Sequence, residues 1–238
     1  MKDRHEDPSK IEGEIPYWTS VAGRRRVLRR AAYLREFGGL RPGKKILEVG
    51  CGVGTFTEKW EMAGMNLTAI DISLDFVKKA SLRTNHRTQW AVADAMKTPF
   101  LPEVFDAIVG SSILHHLNVE WALQEFWRIL RPGGSVALAE PNMLNPQVFV
   151  MKNVPVIKRW MGEDPDETAF VRWLLARTLR KVGFEVVSIF PYDYLHPSTP
   201  SPLIPLVEGM GRLFEGIPLL REFAGSLVIV ARKPDRVL

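Results

Sequence analysis

The sequence predicts an α/β fold, a mostly parallel sheet with helices on both faces. Three observations carry that prediction. Apolar runs and helical patterns alternate in regular order from about residue 44 to residue 140. The runs are apolar at nearly every position, as strands buried on both faces of a parallel sheet are. The first run then breaks directly into Gly50-Cys-Gly-Val-Gly54, a turn that carries a strand into a helix.

The elements follow in order. Residues 1–8 are polar and charged and read as no secretory leader. A helix is predicted over Ser20–Phe37, with Val27, Leu28, Ala31, Ala32 and Leu34 as its apolar stripe. Arg24, Arg25, Arg26, Arg29, Arg30 and Arg35 surround that stripe. Residues 1–45 hold 12 Lys/Arg against 6 Asp/Glu, so they account for the net charge of +5. Such a helix is either a solvated amphipathic surface or a contact for an anionic substrate or a peripheral membrane. Nucleic acid is not expected, because no aromatic residues interleave with the arginines.

Strands are predicted at 44–50, 66–72, 89–93, 105–111, 135–140, 185–190 and 227–233, seven in all. Helices are predicted at 55–63, 74–83, 120–130 and 168–182, the last stopped by Gly183. Two proline-punctuated apolar insertions, 141–167 and 197–223, leave the carboxyl ends of strands, where open sheets bind ligands. They are expected to cover a substrate, although the second could equally join two copies of the chain. The chain of 238 residues suits one domain. A single cysteine, Cys51, excludes an internal disulfide and any multi-cysteine metal site, and no apolar run reaches the length of a membrane span. A cytoplasmic location is the expectation.

The chemistry lies at the glycine turn. Bare N–H groups there admit a ligand closely, and Asp71, about 20 residues on, is placed to accept bonds from the two hydroxyls of a ribose. Glu48 sits at the end of the strand before the turn. It would repel a pyrophosphate and attract a cationic amino-acid group, and Thr55 replaces the third small residue of a dinucleotide fingerprint. A nicotinamide oxidoreductase is disfavoured for these reasons.

From about Gly43 to Phe184 the chain resembles the class I methyltransferases that use S-adenosyl-L-methionine, of the small-molecule type related to ubiquinone and sterol methyltransferases. Ile46-Leu-Glu-Val-Gly-Cys-Gly-Val-Gly54, Ala69-Ile-Asp71, Ala93-Asp-Ala95, Phe105–Leu117 and Leu130-Arg-Pro-Gly-Gly134 resemble that family's motifs in order. The resemblance implies the Rossmann-like class I methyltransferase fold with seven strands and helical lids. It assigns 1–40 to a helical cap, 41–140 to the cofactor, and the two insertions to the substrate.

It also implies roles. Gly50, Cys51, Gly52 and Gly54 would line the methionine and ribose parts of the cofactor, with Glu48 complementing its amino group. Cys51 is there as a small residue, not as a nucleophile. Asp71 would hold the ribose, with Ile72 beside it. Asp94 would accept from the adenine amino group while Ala95 donates its N–H. Ser111 would lie beside the methionine portion, and Tyr17 and Trp18, which precede the N-terminal helix, would close over the cofactor or else form a hydrophobic staple for that helix. His115 and His116, just past the fourth strand, are the candidate base, or else a turn element bonding the local backbone. Two adjacent histidines do not make a metal site. Glu140, Asn142 and Tyr192-Asp-Tyr194 would bind a polar substrate group or satisfy loop backbone.

The expected activity is methyl transfer to a small acceptor, leaving S-adenosyl-L-homocysteine. Ser111-Ser-Ile-Leu-His-His116 lacks the Asn/Asp-Pro-Pro-aromatic turn of enzymes that methylate DNA bases or glutamine amides. The apolar, proline-rich insertions and the arginine-rich helix together suggest an amphiphilic acceptor: a lipid, a prenylated ring or a lipid-linked sugar. The alternative is a regulatory protein that binds the same cofactor without turnover.

Overall fold

The structure, a computed structural model, describes residues 18–84, 87–160 and 168–235. Tyr17 and the rest of residues 1–17 and 161–167 lie outside the described residues.

Helix α1 (Val21–Phe37) opens the described chain, with Ser20 Oγ accepting from Gly23 N at its amino end. Strand β1 (Ile46–Val49), helix α2 (Thr55–Met62), strand β2 (Leu67–Asp71), helix α3 (Leu74–Arg83) and strand β3 (Gln89–Val92) form the first half. Strand β4 (Phe105–Ser111), helix α4 (Val119–Ile129) and strand β5 (Leu130–Pro141) follow. The first insertion contributes α5 (Pro146–Asn153) and α6 (Pro155–Trp160), then come α7 (Arg172–Val182) and β6 (Glu185–Tyr192). The second contributes α8 (Ile204–Glu215) and α9 (Pro218–Arg221) before β7 (Ser226–Arg232).

The sheet order is β3-β2-β1-β4-β5-β7-β6. Strands β1 to β5 pair in parallel, and β7 runs antiparallel between β5 and β6. Strand order therefore reverses between β1 and β4, which opens a crevice at their carboxyl ends. Successive residues serve opposite faces. Leu47, Val49 and Ile108 join Leu123 and Phe126 of α4 and Leu179 of α7 in one core. Ile46, Ala107 and Val109 join Leu34 of α1 and Phe56 and Trp60 of α2 in the other.

Two expectations are corrected. The predicted helix at 168–182 begins only at Arg172, because Phe170 bridges Asn142: Phe170 N donates to Pro141 O and Met143 N to Phe170 O. The arginines of α1 do not form a solvated basic face. Arg26 and Arg30 are buried, Arg25 and Arg29 pair with Glu208 and Glu215, and Leu28 of the expected stripe is exposed. The first insertion's helix α5 buries none of its residues, so it does not add to the core.

Candidate cofactor and acceptor site

The glycine turn is built by positive φ at Gly50, Gly52 and Gly54. The three are not equivalent. A Cβ on Gly50 would sit 2.6 Å from the Ile113 side chain, and one on Gly54 would sit 3.0 Å from Ala80 Cβ of α3. At Gly52 a Cβ would meet nothing within 4 Å, so this residue alone of the three faces open space. No side chain caps the amino end of α2, whose first N–H groups lie at the same place.

Asp71 closes the turn from the tip of β2. Its Oδ2 accepts from Gly52 N at 2.9 Å and its Oδ1 from Ser73 N at 3.0 Å. Ile72, next along, is an exposed apolar side chain. Asp94 stands at the tip of β3 in a tight turn, its Oδ1 accepting from Met96 N at 2.8 Å, with Ala95 buried beside it. These residues leave an open, N–H-rich turn flanked by carboxylates, which fits an adenosine-bearing cation.

Glu48 is not an exposed complement to that cation. It is buried and accepts from Thr57 Oγ1 at 2.6 Å. Burial, reinforced by Asp71 and Glu61, pushes its carboxyl up to about 8, so it is mostly protonated at neutral pH. Cys51 is also buried, its N donating to Ile70 O, and burial pushes its thiol far above the usual range. That excludes a thiolate nucleophile.

On the other side of the crevice, one of the α1 arginines is drawn into the site. Arg30 of α1 is 3% exposed and reaches across the carboxyl ends of β4 and β6 and the amino end of β7. Its Nη1 donates to Ser111 Oγ and Ser112 Oγ at 3.0 Å, its Nη2 to Ser226 Oγ at 2.9 Å, and its Nε to Tyr192 Oη at 2.8 Å. Ser112 holds φ 56° in this cluster. Trp18 lies over Arg30 at 5.0 Å and edge-on to Phe56 at 5.6 Å, seating the start of α1 on α2.

His115 and His116 lie in a short 3₁₀ turn after β4. His115 Nδ1 is 2.7 Å from Glu140 Oε2, and Glu140 Oε1 accepts from Ile113 N and Leu114 N at 3.0 and 2.8 Å. Burial lowers the His115 pKa, partly offset by Glu140. Although burial opposes it, bonding to His115 and to the two amides holds Glu140 below the usual carboxylate range. Glu140 is thus ionised and His115 neutral with its proton on Nδ1, leaving Nε2 as a lone-pair acceptor. The His116 ring stacks at 4.0 Å on that of His115.

The other polar candidates serve the loops. Asn142 Nδ2 donates to Glu222 O and Ala224 O. Asp193 pairs with Arg26 at 2.6 Å, and Tyr194 Oη donates to Leu220 O. A groove of about 360 Å³ between α7 and β6 lies at the sheet edge and contains none of the predicted site residues. Among the described residues no group of three or more His, Cys, Asp or Glu could hold a metal ion, and no helix is long and apolar enough to cross a membrane.

A family model described as a methyltransferase domain matches residues 47–138. A demethylmenaquinone methyltransferase of Streptomyces griseus subsp. griseus is 28% identical over 165 residues, 62% of this chain and 71% of that protein. Another, from Renibacterium salmoninarum, is 35% identical over 141 residues, 56% of this chain and 59% of that protein. The solved phosphoethanolamine N-methyltransferase 2 of Haemonchus contortus, in complex with S-adenosyl-L-methionine, superposes with a TM-score of 0.70 at 17% identity. That alignment covers 98% of this chain and 59% of the solved one, and at such identity it speaks for the fold.

Proposed function

We propose that this chain, a class I S-adenosyl-L-methionine-dependent methyltransferase of small molecules, methylates a quinol-like ring carried on an apolar tail. The names of the two demethylmenaquinone relatives support that acceptor class. The observation in the molecule that carries the reading is the buried His115–Glu140 pair at the ends of β4 and β5. The cofactor supplies a methyl group already activated on a sulfonium. Residues 41–140 hold it, with Asp71 on the ribose, Asp94 and Ala95 at the adenine, Gly52 against the backbone-facing side, and Ser111 beside the methionine portion. The insertions cover the acceptor.

A ring carbon that gains a methyl group must lose a proton from the acceptor. His115 Nε2 takes it, and Glu140 stabilises the imidazolium that results. His116 backs the His115 ring. The relatives' names, both those of methyltransferases, disfavour a cofactor-binding protein without turnover.

The test is incubation with methyl-labelled S-adenosyl-L-methionine and a chemically reduced quinone extract, followed by partition. Label is expected in the organic phase. Asp71→Ala should weaken binding of S-adenosyl-L-homocysteine by roughly 100-fold, as loss of charge-assisted bonds does, and remove the label. Label confined to the aqueous phase would overturn the quinol assignment and keep the enzyme. No label, with cofactor binding intact, would restore the regulatory alternative.

A further inference from the structure

Helix α8 is amphipathic in the reverse sense. Its carboxylates face the protein: Glu208 Oε2 meets Arg25 Nη1 at 2.7 Å, and Glu215 receives Arg29 together with Asp193 N at 2.8 Å. Ile204 and Gly211 are the buried contacts, Ile204 among Ala22 and Leu195, Gly211 against Tyr194. Leu203, Leu206, Met210, Leu213 and Ile217 recur at spacings of three and four and all face outward, Leu206 at 60% and Leu213 at 64% exposure. A helix that turns its acids inward and its leucines to water has a surface meant to be covered.

The charges around this face say what covers it. Segment 201–223 holds three acids, Glu208, Glu215 and Glu222, and each is paired with an arginine of another element: Arg25, Arg29 and Arg172. Arg212, beside the apolar stripe, is exposed. The outward face is therefore apolar and cationic, with no acid of its segment left unpaired. A second copy packed face to face would offer Arg212 again and no unpaired acid of this segment to meet it. The second insertion also joins the first, since Asn145 Nδ2 donates to Phe223 O at 2.8 Å, and helix α5 exposes Phe149 and Val150.

From this inversion of α8 we infer that the segment Leu203–Phe223 docks on an anionic lipid bilayer, with its leucines in the acyl boundary and Arg212 at the headgroups. The inference rests on the helix and its charges, and stands whether or not the acceptor is a quinol. It replaces the arginines of α1, most of which are engaged within the protein, as the membrane-facing element. It also places the sheet's carboxyl end, from which both insertions rise, toward the lipid.

The test is flotation of the full chain with vesicles of phosphatidylglycerol and phosphatidylcholine, against phosphatidylcholine alone. Preferential binding to the anionic vesicles is expected. It should fall at least tenfold in Leu206→Gln/Leu213→Gln and severalfold in Arg212→Glu, with affinity for S-adenosyl-L-homocysteine unchanged in both as proof of folding. Absence of wild-type binding, or binding equal in the double variant, would overturn the proposal. So would binding lost instead in Arg24→Ala/Arg35→Ala. A dimer in sedimentation that Leu206→Gln/Leu213→Gln dissociates, without vesicle binding, would assign the face to a second copy and overturn it as well.

Discussion

His115 shows how one residue's surroundings set its chemistry. Its pKa lies below that of free imidazole, so it stays an available base below pH 6.5. The acid limb of kcat/KM is therefore expected below 6.5. Glu140→Gln removes the interaction that offsets burial, so the limb should move further down while kcat falls by roughly 10- to 100-fold. A pH profile unchanged in Glu140→Gln would remove His115 from the reaction. At this scale the sequence was legible where spacing along the chain coincides with position in space. Asp71 ends β2 and Asp94 lies just past β3, each placed by its own strand. Arg30 was not legible as a site residue, because its partners Ser111, Tyr192 and Ser226 are 81 to 196 residues away. A signal existed nonetheless: Arg26 and Arg30 share the helical face of Val27, Ala31 and Leu34, where a solvated arginine does not belong. Glu48 ends β1 as its place in the sequence predicts, but burial in the sheet, which the sequence does not display, keeps its carboxyl mostly protonated.

Among elements, the joint between the glycine turn and α3 is the most exacting. Gly54 combines φ 79° with a gap of 3.0 Å to Ala80. Gly54→Ala incurs a left-handed backbone cost and a steric one, and is expected to lower stability by about 1–3 kcal/mol in urea unfolding. Gly52→Ala incurs only the first, and should weaken cofactor binding more than it weakens the fold. The strands and helices of residues 44–130 were readable because each is local and strongly periodic. Helix α3 falls at Leu74–Arg83 and strand β4 at Phe105–Ser111, as periodicity alone places them. The insertions were readable as apolar but not in orientation. Which side of α8 faces inward is decided by Arg25 and Arg29 on α1, nearly two hundred residues earlier in the chain.

The whole molecule depends on its last strand. All of β7 except Arg232 is buried, and the strand lies between β5 and β6, so β6 reaches the sheet only through it. Lys233, just beyond, donates to Trp127 O and Leu130 O at the carboxyl end of α4 and ties that strand to the first half. Seven strands were legible in the sequence, but the antiparallel entry of β7 was not, because a run apolar on both faces fits either direction. The sheet also fixes a consequence for Glu48. A neutral acid at its centre, with a carboxyl near 8, awaits a cofactor that carries a sulfonium and an ammonium group. Bringing cations toward it favours the ionised form, so loading the enzyme near neutral pH should expel a proton into solvent. Calorimetry of S-adenosyl-L-methionine binding in two buffers of different ionisation enthalpy should count a fraction of a proton released at pH 7, and none in Glu48→Gln. Apparent affinity should then rise with pH until about 8 and level off. The spent cofactor lacks the sulfonium, should displace less of that proton, and would hold on less tightly than the fresh one as the solution turns alkaline. Acidity would thus set how readily the enzyme tells its donor from its by-product.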